Sequence, residues 1–385
     1  MASSHRADRI AGLAAMNNRA SWRPRVVFVG GFNDNSVRGG QVFASRTLVN
    51  SPLGRCWSWT LVDSTMSEVP PPPLWKRSIG ALRRLALFCR ALSTRPDLVI
   101  LFASTGASFA EKTWMAMCAR LVGVPVAFCP RSGLITGMAE KSAIGRLVIR
   151  VAVRISSIFV CQGKAWADFY RNIEPSVRAV VIPNFIDEKP YLSVQQQPPP
   201  GQPLILFLGS IETNKGIYDL VAAADILVEQ GRRFHLCIGG EGGEMTNLRR
   251  RVSQGSARDS ITLLGWVRQA EKIELMSRAS AVVLPSYHEG FPNVILEAMA
   301  SALPVVASSV GAVPELIEEG VTGYMTAAGD PAGLARSLAH LLDHPEEARL
   351  MGLKGRSRAL ENHSAASQWT RWRDALTPLI NSHEA

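Results

Sequence analysis

The stretch AVVLPSYHEGFPNVILEAMASALPVVAS (281–308) decides the fold. It begins with the apolar run AVVLP (281–285), passes through a turn containing Gly and Pro into NVILEAMA (293–300), and ends on LPVVAS (303–308). Two runs rich in β-branched residues, joined by a helical pattern, predict a strand, a helix and a second strand parallel to the first. Parallel strands are covered by helices on both faces, so this segment predicts an α/β domain.

The same alternation extends through the rest of the chain. Further strand-like runs are RVVFVGG (25–31), LVILFAS (98–104), VPVAFC (124–129), AVVIP (179–183), LILFLG (204–209), FHLCIG (234–239) and ITLLG (261–265). Helical patterns lie between most of them, and the chain of 385 residues exceeds the usual size of one domain, about 100–200 residues. The sequence therefore predicts two Rossmann-like domains, each with a parallel sheet.

The segment YLSVQQQPPPGQP (191–203) separates the two halves. Its Gln, Pro and Gly residues suit neither a helix nor a central strand, which is typical of an interdomain linker. The final segment SAASQWTRWRDALTPLI (364–380) has the pattern of an amphipathic helix, with Trp369, Trp372 and Leu376 on one side for packing. The predicted division is an N-terminal domain (1–194), a linker (195–203), a C-terminal domain (204–363) and a terminal helix (364–385) that packs back on the first domain.

Composition limits the class of protein. With 47% hydrophobic and 19% charged residues, the chain is globular rather than disordered. Its six cysteines are widely spaced and form no Cys/His pattern for a metal, which favours free thiols in a cytoplasmic protein. We also expect neither a signal peptide nor a membrane span.

Charge is unevenly distributed between the halves. Residues 1–200 hold 25 Lys and Arg against 11 Asp and Glu (+14), whereas residues 201–385 hold 17 against 21 (−4). The basic half predicts an anionic partner: nucleic acid, an acidic membrane surface or a phosphorylated substrate. Nucleic acid is the least favoured of these, because aromatic residues are not interleaved with the arginines and no binding motif is present.

The loops after the strands of the second half are the candidate chemical site, because ligands of open α/β sheets bind at the carboxyl ends of the strands. Lys215 and Gly216 precede a helix, where an ammonium group and backbone N–H groups suit a phosphate. Glu289 lies on the loop after AVVLP, and Glu297 lies about a turn into the following helix. Each glutamate alone could be a helix cap or a solvated side chain; together they suggest acceptors for the hydroxyl groups of a sugar.

Glu289 and Glu297 match the E-x7-E signature of the retaining glycosyltransferases of the GT-B fold, family 4, which this chain resembles. The likeness continues through EGFPNVILEAMASALPVVASSVGAVPELIEEGVTGYM (289–325). FLGSIETNKG (207–216) resembles the family's phosphate loop, and GGEGGE (239–244) resembles its Gly-rich turn. VIPNFID (181–187) resembles its Pro-Asn-Gly-Val-Asp segment, and RGGQ (38–41) resembles its first Gly-Gly loop.

The resemblance implies a role for each matching position. Glu297 would hold the nucleotide ribose, Glu289 would contact the transferred sugar, Lys215 would bind the diphosphate, and Arg131, in FCPRSGL (128–134), would face the sugar or the acceptor. The remaining donor-binding positions implied are Gly39, Gly40, Gly240, Gly290, Phe291, Pro292 and Asn293. Two positions depart from the family: Ser210 stands where an arginine is usual, and the segment of Arg131 replaces a common histidine.

The implied activity is transfer of a hexose from a UDP-, GDP- or ADP-sugar to a glycan or lipid-linked acceptor, with retention and with no obligatory metal. We expect a role in cell-surface polysaccharide synthesis, in the cytoplasm, with peripheral contact to the inner face of the plasma membrane. Ser210 and the missing histidine leave one alternative, a sugar-nucleotide-binding scaffold without catalysis. Absence of a GxSxG elbow and of GxGxxG after the first strand argues against a hydrolase triad and a dinucleotide oxidoreductase.

Overall fold

A computed structural model describes residues 23–33, 40–65, 72–192 and 202–381. They form two six-stranded parallel sheets with helices on both faces. Residues 193–201, which include most of the predicted linker (195–203), lie outside the described residues, as does Gly39 of the first Gly-Gly loop. The chain resumes at Gln202 and Pro203, directly before the first strand of the second sheet.

The first sheet has the strand order β2-β1-β3-β4-β5-β6. Its strands are β1 (Arg25–Gly30), β2 (Ser58–Asp63), β3 (Leu98–Ala103), β4 (Val126–Pro130), β5 (Ile158–Cys161) and β6 (Ala179–Val181). The sequence patterns identified four of these strands. β2 is an edge strand with mostly exposed side chains, and β5 is a run of four residues that closely follows a helix rich in Val and Ile, so neither stands out from its surroundings.

Helices cover both faces of the first sheet. They are α1 (Gly40–Asn50), α2 (Pro52–Arg55), α3 (Leu74–Leu92), α4 (Ala107–Leu121), α5 (Ile135–Lys141), α6 (Ala143–Ile155) and α7 (Lys164–Ile173). The short helix α8 (Lys189–Leu192) follows, and its Tyr191 packs in the core of the second sheet. One core lies between the sheet and the five helices α3, α4, α5, α6 and α7. A second core lies on the opposite face of the sheet, under α1 and α2. Gly40 is the first residue of α1.

The second sheet has the order β12-β11-β10-β7-β8-β9. Its strands are β7 (Leu204–Leu208), β8 (His235–Gly239), β9 (Ile261–Gly265), β10 (Ala281–Leu284), β11 (Val305–Ser308) and β12 (Gly323–Thr326). The strands β7 to β11 were predicted, and the edge strand β12 was not: its short sequence GYMT is only partly buried. β7 and β10 are neighbours in the middle of this sheet, so their carboxyl ends meet.

The remaining helices belong to the second half of the chain. They are α9 (Ile217–Glu229), α10 (Met245–Ser253), α11 (Gln269–Arg278), α12 (Asn293–Ala300), α13 (Val313–Leu316), α14 (Pro331–Asp343), α15 (Pro345–His363) and α16 (Ala365–Asn381). The terminal helix α16 packs on the first sheet, where Trp372 and Leu376 are buried beside Val26 and Phe28. The end of the chain thus belongs to the core of the first domain.

Candidate functional site

The turn after β7 places Lys215 beside the end of β10. Residues Thr213–Lys215 form one turn of 3-10 helix, and Gly216 follows with φ 66°, in the left-handed region. A Cβ at Gly216 would lie 1.9 Å from the carbonyl oxygen of Pro285. Glycine is therefore required twice over, for its backbone conformation and for the close approach of the β10 loop.

Lys215 and Glu289 form an ion pair at this point. Lys215 Nζ lies 2.7 Å from Glu289 Oε1, and Ser286 Oγ donates a hydrogen bond of 2.7 Å to the same oxygen. Their side chains are 21% and 10% exposed, so both groups are partly withdrawn from solvent. Lys215, predicted to bind the phosphate, and Glu289, predicted to bind the sugar, are thus in direct contact with each other.

The second predicted glutamate has a lysine of its own. Lys272 Nζ of α11 lies 2.5 Å from Glu297 Oε1 of α12, and it also lies 5.9 Å from the ring centre of Tyr191. Gln269 Nε2 donates to the Tyr191 hydroxyl at 3.0 Å. Burial, followed by the nearby Glu297 carboxylate, raises the pKa of that hydroxyl well above its ordinary value. Nothing in the sequence marked Lys272, because a lone lysine on an amphipathic helix is ordinarily solvated.

These two ion pairs change the explanation of the paired carboxylates. We expected sugar hydroxyls to be what makes two carboxylates tolerable at one strand end. In the protein itself, one ammonium group neutralises each of them, Lys215 for Glu289 and Lys272 for Glu297. A bound donor would have to replace or share these partners.

The loop between Glu289 and α12 is held on several sides. Phe291 is buried, with its ring centre 5.5 Å from that of His363, and Pro292 directly precedes the first residue of the helix. Among the described residues no side chain caps the start of α12, so its first N–H groups and its dipole remain suited to a phosphate. Asn293 Oδ1 accepts a 2.8 Å hydrogen bond from Asn184 of the first domain, so its side chain serves an interdomain contact.

Gly240 lies in the turn after β8, close to the loop after β7, and the donor-binding role implied for it stays a prediction. Its φ is 148°, and a Cβ there would lie 1.7 Å from the carbonyl oxygen of Gly209. A Cβ at Gly242 would lie 2.2 Å from the carbonyl oxygen of Ile211, and Gly243 N–H donates to Glu212 Oε1 at 2.9 Å. The glycines of this turn therefore allow close packing against the loop after β7, whatever ligand lies above them.

Arg131 lies in a mixed apolar and polar environment at the end of β4. Its guanidinium carbon is 4.0 Å from the ring centre of Phe102 and 5.9 Å from that of Trp372, while Nη1 donates to Asn184 Oδ1 at 2.9 Å. Loss of solvation lowers its pKa, and its Nε is buried without a partner among the described residues. The implied role of Arg131 toward the sugar or the acceptor stays a prediction.

No group of His, Cys, Asp and Glu suited to a metal occurs among residues 23–33, 40–65, 72–192 and 202–381. Within the same residues, no helix is both long enough and apolar enough to cross a membrane.

The fold has close counterparts among solved structures. Sucrose-phosphate synthase from Thermosynechococcus elongatus superposes with a TM-score of 0.79 at 19% identity, over 94% of this chain and all of that one. Anabaena HepE in complex with UDP gives a TM-score of 0.71 at 18% identity, over 92% of this chain and all of that one. The two parallel sheets and these counterparts confirm the predicted GT-B fold.

Sequence comparison points the same way. Glycogen synthase of Mycobacterium tuberculosis is 30% identical over 234 residues, which are 59% of this chain and 55% of the relative. The chain spans about half the length of the curated relatives it matches. Residues 189–358, which carry Lys215, Glu289, Lys272 and Glu297, match the family model of the glycosyl transferases group 1.

Proposed function

We propose that this protein transfers a sugar from a nucleotide-diphosphate sugar to a glycan or lipid-linked acceptor, with retention of configuration. The observation that carries the proposal is the Lys215–Glu289 ion pair, where the carboxyl ends of β7 and β10 meet the uncapped start of α12. A cation and a helix N-terminus suit a diphosphate, and a carboxylate beside them suits sugar hydroxyls. The match to group 1 glycosyl transferases and the HepE complex with UDP support it.

The chemistry assigns each group a task. The diphosphate takes Lys215 and the first N–H groups of α12, which stabilise the negative charge that grows as the sugar departs. As Lys215 turns to the diphosphate, Glu289 becomes free to accept hydrogen bonds from the sugar. Glu297 exchanges Lys272 for the ribose hydroxyls. Retention then comes from attack on the same face, with the diphosphate assisting deprotonation of the acceptor, and no carboxylate acts as a nucleophile.

The acceptor and the biological setting are the finer parts of the proposal. We favour a cell-surface polysaccharide intermediate carried on a lipid diphosphate, because the first domain is strongly basic. The second candidate function is a sugar-nucleotide-binding scaffold, favoured by Ser210 in the loop after β7, where no arginine accompanies Lys215. A scaffold would bind the donor without turnover.

Donor binding is tested by thermal unfolding with UDP-, GDP- and ADP-sugars. A ligand present at 100 times its dissociation constant stabilises the folded state by about 2.7 kcal/mol. The donor with the preferred nucleotide base should therefore raise Tm clearly more than the other two donors. We expect the shift and any transfer to persist in EDTA, because no candidate metal cluster occurs among the described residues. No shift with any of the three donors would contradict the proposal, and activity restored only by Mg²⁺ or Mn²⁺ would contradict its metal independence.

Glu297→Ala is expected to weaken donor binding about 10- to 100-fold with little change in kcat, because a charged hydrogen bond to ribose is worth about 1.5–3 kcal/mol. Isothermal titration with the preferred nucleoside diphosphate measures the change. Lys272→Ala provides the matched comparison: it leaves Glu297 without its cation, so it should destabilise the free protein more than the complex. An unchanged donor constant in Glu297→Ala would remove Glu297 from the ribose site.

Helix α3 is the strongest candidate for membrane contact. Its side chains Trp75, Ile79 and Leu82 are 62%, 58% and 68% exposed, and only its last turns enter the core. Residues 74–92 contain five cations and no acidic residue. Exposed apolar side chains interleaved with cations are typical of a helix that lies in the surface of an anionic bilayer. Arg84 is excluded from this surface, since its Nε lies 2.8 Å from Glu111 Oε1.

We expect the protein to co-sediment with vesicles that contain anionic lipid and to be released at about 1 M salt, where the Debye length falls to about 3 Å. Neutral vesicles should leave it in the supernatant. Trp75→Ser removes an exposed apolar side chain, and Arg83→Gln removes a cation worth about 1 kcal/mol near an anionic surface, so each should weaken the association. The control Leu350→Ser, at an exposed position of α15, should not. Wild-type protein that stays in the supernatant at low salt would favour a soluble acceptor.

A further inference from the structure

A carboxylate of the second domain caps a helix of the first. Glu315, in the short helix α13, accepts hydrogen bonds from the backbone N–H groups of Lys164 (2.9 Å, Oε2) and Ala165 (3.2 Å, Oε1). These are the first two residues of α7, whose preceding residue, Gly163, has no side chain with which to cap the helix. An acidic group at a helix N-terminus satisfies donors that the helix cannot and is favoured by the helix dipole.

The glycine at position 163 fits this contact. Its backbone is extended, at φ −158° and ψ 169°, a conformation that any residue adopts. A Cβ there would lie 2.6 Å from Glu315 Oε1. Glycine thus leaves the space that the Glu315 carboxylate occupies, whereas a capping residue such as Ser, Thr, Asp or Asn would require that carboxylate to move.

The same helix turn also contacts the loop of the candidate site. Trp166 Nε1 donates to the carbonyl oxygen of Gly290 at 3.1 Å, next in sequence to Glu289. That oxygen also accepts from Ala312 N–H at 3.3 Å, three residues before Glu315. The first turn of α7 is therefore fixed to the second domain at two points, one of which is the peptide that follows the proposed sugar-binding carboxylate.

Glu315 is itself held in place. Its carbonyl oxygen accepts a hydrogen bond of 3.2 Å from Arg358 Nη2, and Arg358 Nε donates to the carbonyl oxygen of Leu316 at 2.9 Å. The backbone N–H of Glu315 donates to the carbonyl oxygen of Ala312 at 3.0 Å. Both ends of the interdomain bridge are thus anchored in regular structure.

We propose that Glu315 is an interdomain positioning residue, which holds α7 of the first domain against the Glu289–Gly290 loop so that the acceptor side faces the donor site. It acts through α7 and Gly290 and has no contact with the donor in this assignment. The effect on turnover rests on the proposed function, whereas the effect on domain closure does not.

Glu315→Ala is expected to increase the radius of gyration in small-angle X-ray scattering and to lower kcat about 10-fold or more, because two charge-assisted hydrogen bonds are lost. Nucleoside diphosphate binding should stay within about twofold, since Lys215, Glu297 and the start of α12, which carry most of the predicted contacts, lie in the second domain. Glu315→Gln, which keeps one accepting oxygen, should fall between wild type and Glu315→Ala in both measurements.

The double variant Gly163→Ser, Glu315→Ala distinguishes two roles of Glu315, contact between the domains and capping of α7. Without the glutamate there is room for a side chain, and serine in this extended conformation caps α7 from within its own domain. The double variant should regain thermal stability without regaining the compact scattering profile or the turnover. In the wild-type background, Gly163→Ser should itself open the domains, since its Cβ displaces Glu315.

Three results would overturn the proposal: an unchanged scattering profile in Glu315→Ala, recovery of turnover in the double variant together with its stability, or a loss of nucleotide affinity as large as the loss of turnover. The first would remove the bridge, the second would leave Glu315 as a helix cap, and the third would place it in the donor pocket. If wild-type protein turned over no donor, the proposed function would fail while the scattering profiles still decided the role of Glu315.

Discussion

Glu289→Gln is expected to lower kcat about 10- to 100-fold while leaving the affinity for the nucleoside diphosphate within about twofold. Glutamine keeps an oxygen that can accept from Ser286 Oγ and Lys215 Nζ, so the loop should remain in place. The variant removes only the negative charge that we assign to the transferred sugar. Steady-state kinetics and titration calorimetry on the same preparation measure the two effects.

The control for this variant is Glu361→Gln, an exposed glutamate on α15 whose carboxylate bonds to Ser357. It should leave both quantities unchanged. If Glu289→Gln weakened nucleoside diphosphate binding as much as it lowered turnover, Glu289 would belong to the nucleotide rather than to the sugar. Equal kcat in variant and wild type would remove it from the reaction altogether.

Lys215→Ala is expected to have the larger effect, about 100- to 1,000-fold in kcat, as is typical when a group that stabilises developing negative charge is removed. Ser210 offers no second cation in the same loop. The substitution also leaves Glu289, a side chain only 10% exposed, without its ammonium partner, so a moderate fall in Tm should accompany the loss. Lys354→Ala, at an exposed position of α15, is the matched control and should change neither property.

Restoring a cation nearby sharpens this prediction. Ser210→Arg in the Lys215→Ala background should recover part of the lost turnover, because the loop after β7 would again present a positive charge to the diphosphate. Activity retained in Lys215→Ala alone would show that another group binds the leaving diphosphate.

The fold was predictable where the strands are buried on both sides. Runs such as LVILFAS (98–104) and AVVLP (281–285) consist almost entirely of apolar residues, because both faces of a central parallel strand are covered by helices. The edge strands β2 and β12 lack that signature, whereas the edge strands β6 and β9 were predicted from AVVIP (179–183) and ITLLG (261–265). β2 has the sequence SWTLVD with one side in solvent, and β12 has four residues, so the pattern gave no reason to prefer strand over loop for either.

The site was predictable at positions fixed by the chain itself. Lys215 and Glu289 are each tied to the carboxyl end of a strand, and since β7 and β10 are neighbours, the two side chains meet. Partners from elsewhere in the sequence were not predictable. Lys272 reaches Glu297 from α11, and Glu315 reaches α7 across the domains; both contacts depend on tertiary packing that leaves no local periodicity or spacing.

The glycines after β8 show a further limit of the sequence. The resemblance implied a donor-binding position at Gly240, which stays a prediction, whereas the structure shows that Gly240 and Gly242 lie against the loop after β7. A sequence shows that a side chain must be absent, whereas only the fold shows which atoms occupy the space.

Catalysis is measured by release of the nucleoside diphosphate from whichever nucleotide sugar stabilises the protein, in parallel for wild type and Lys215→Ala. Chromatography of the products at equal protein concentration gives both rates. We expect steady release by the wild type, in the presence of EDTA, and a rate about 100-fold or more lower for the variant. Stabilisation by the donor with no release from the wild type would contradict the claim of catalysis and would leave the protein as a sugar-nucleotide-binding scaffold.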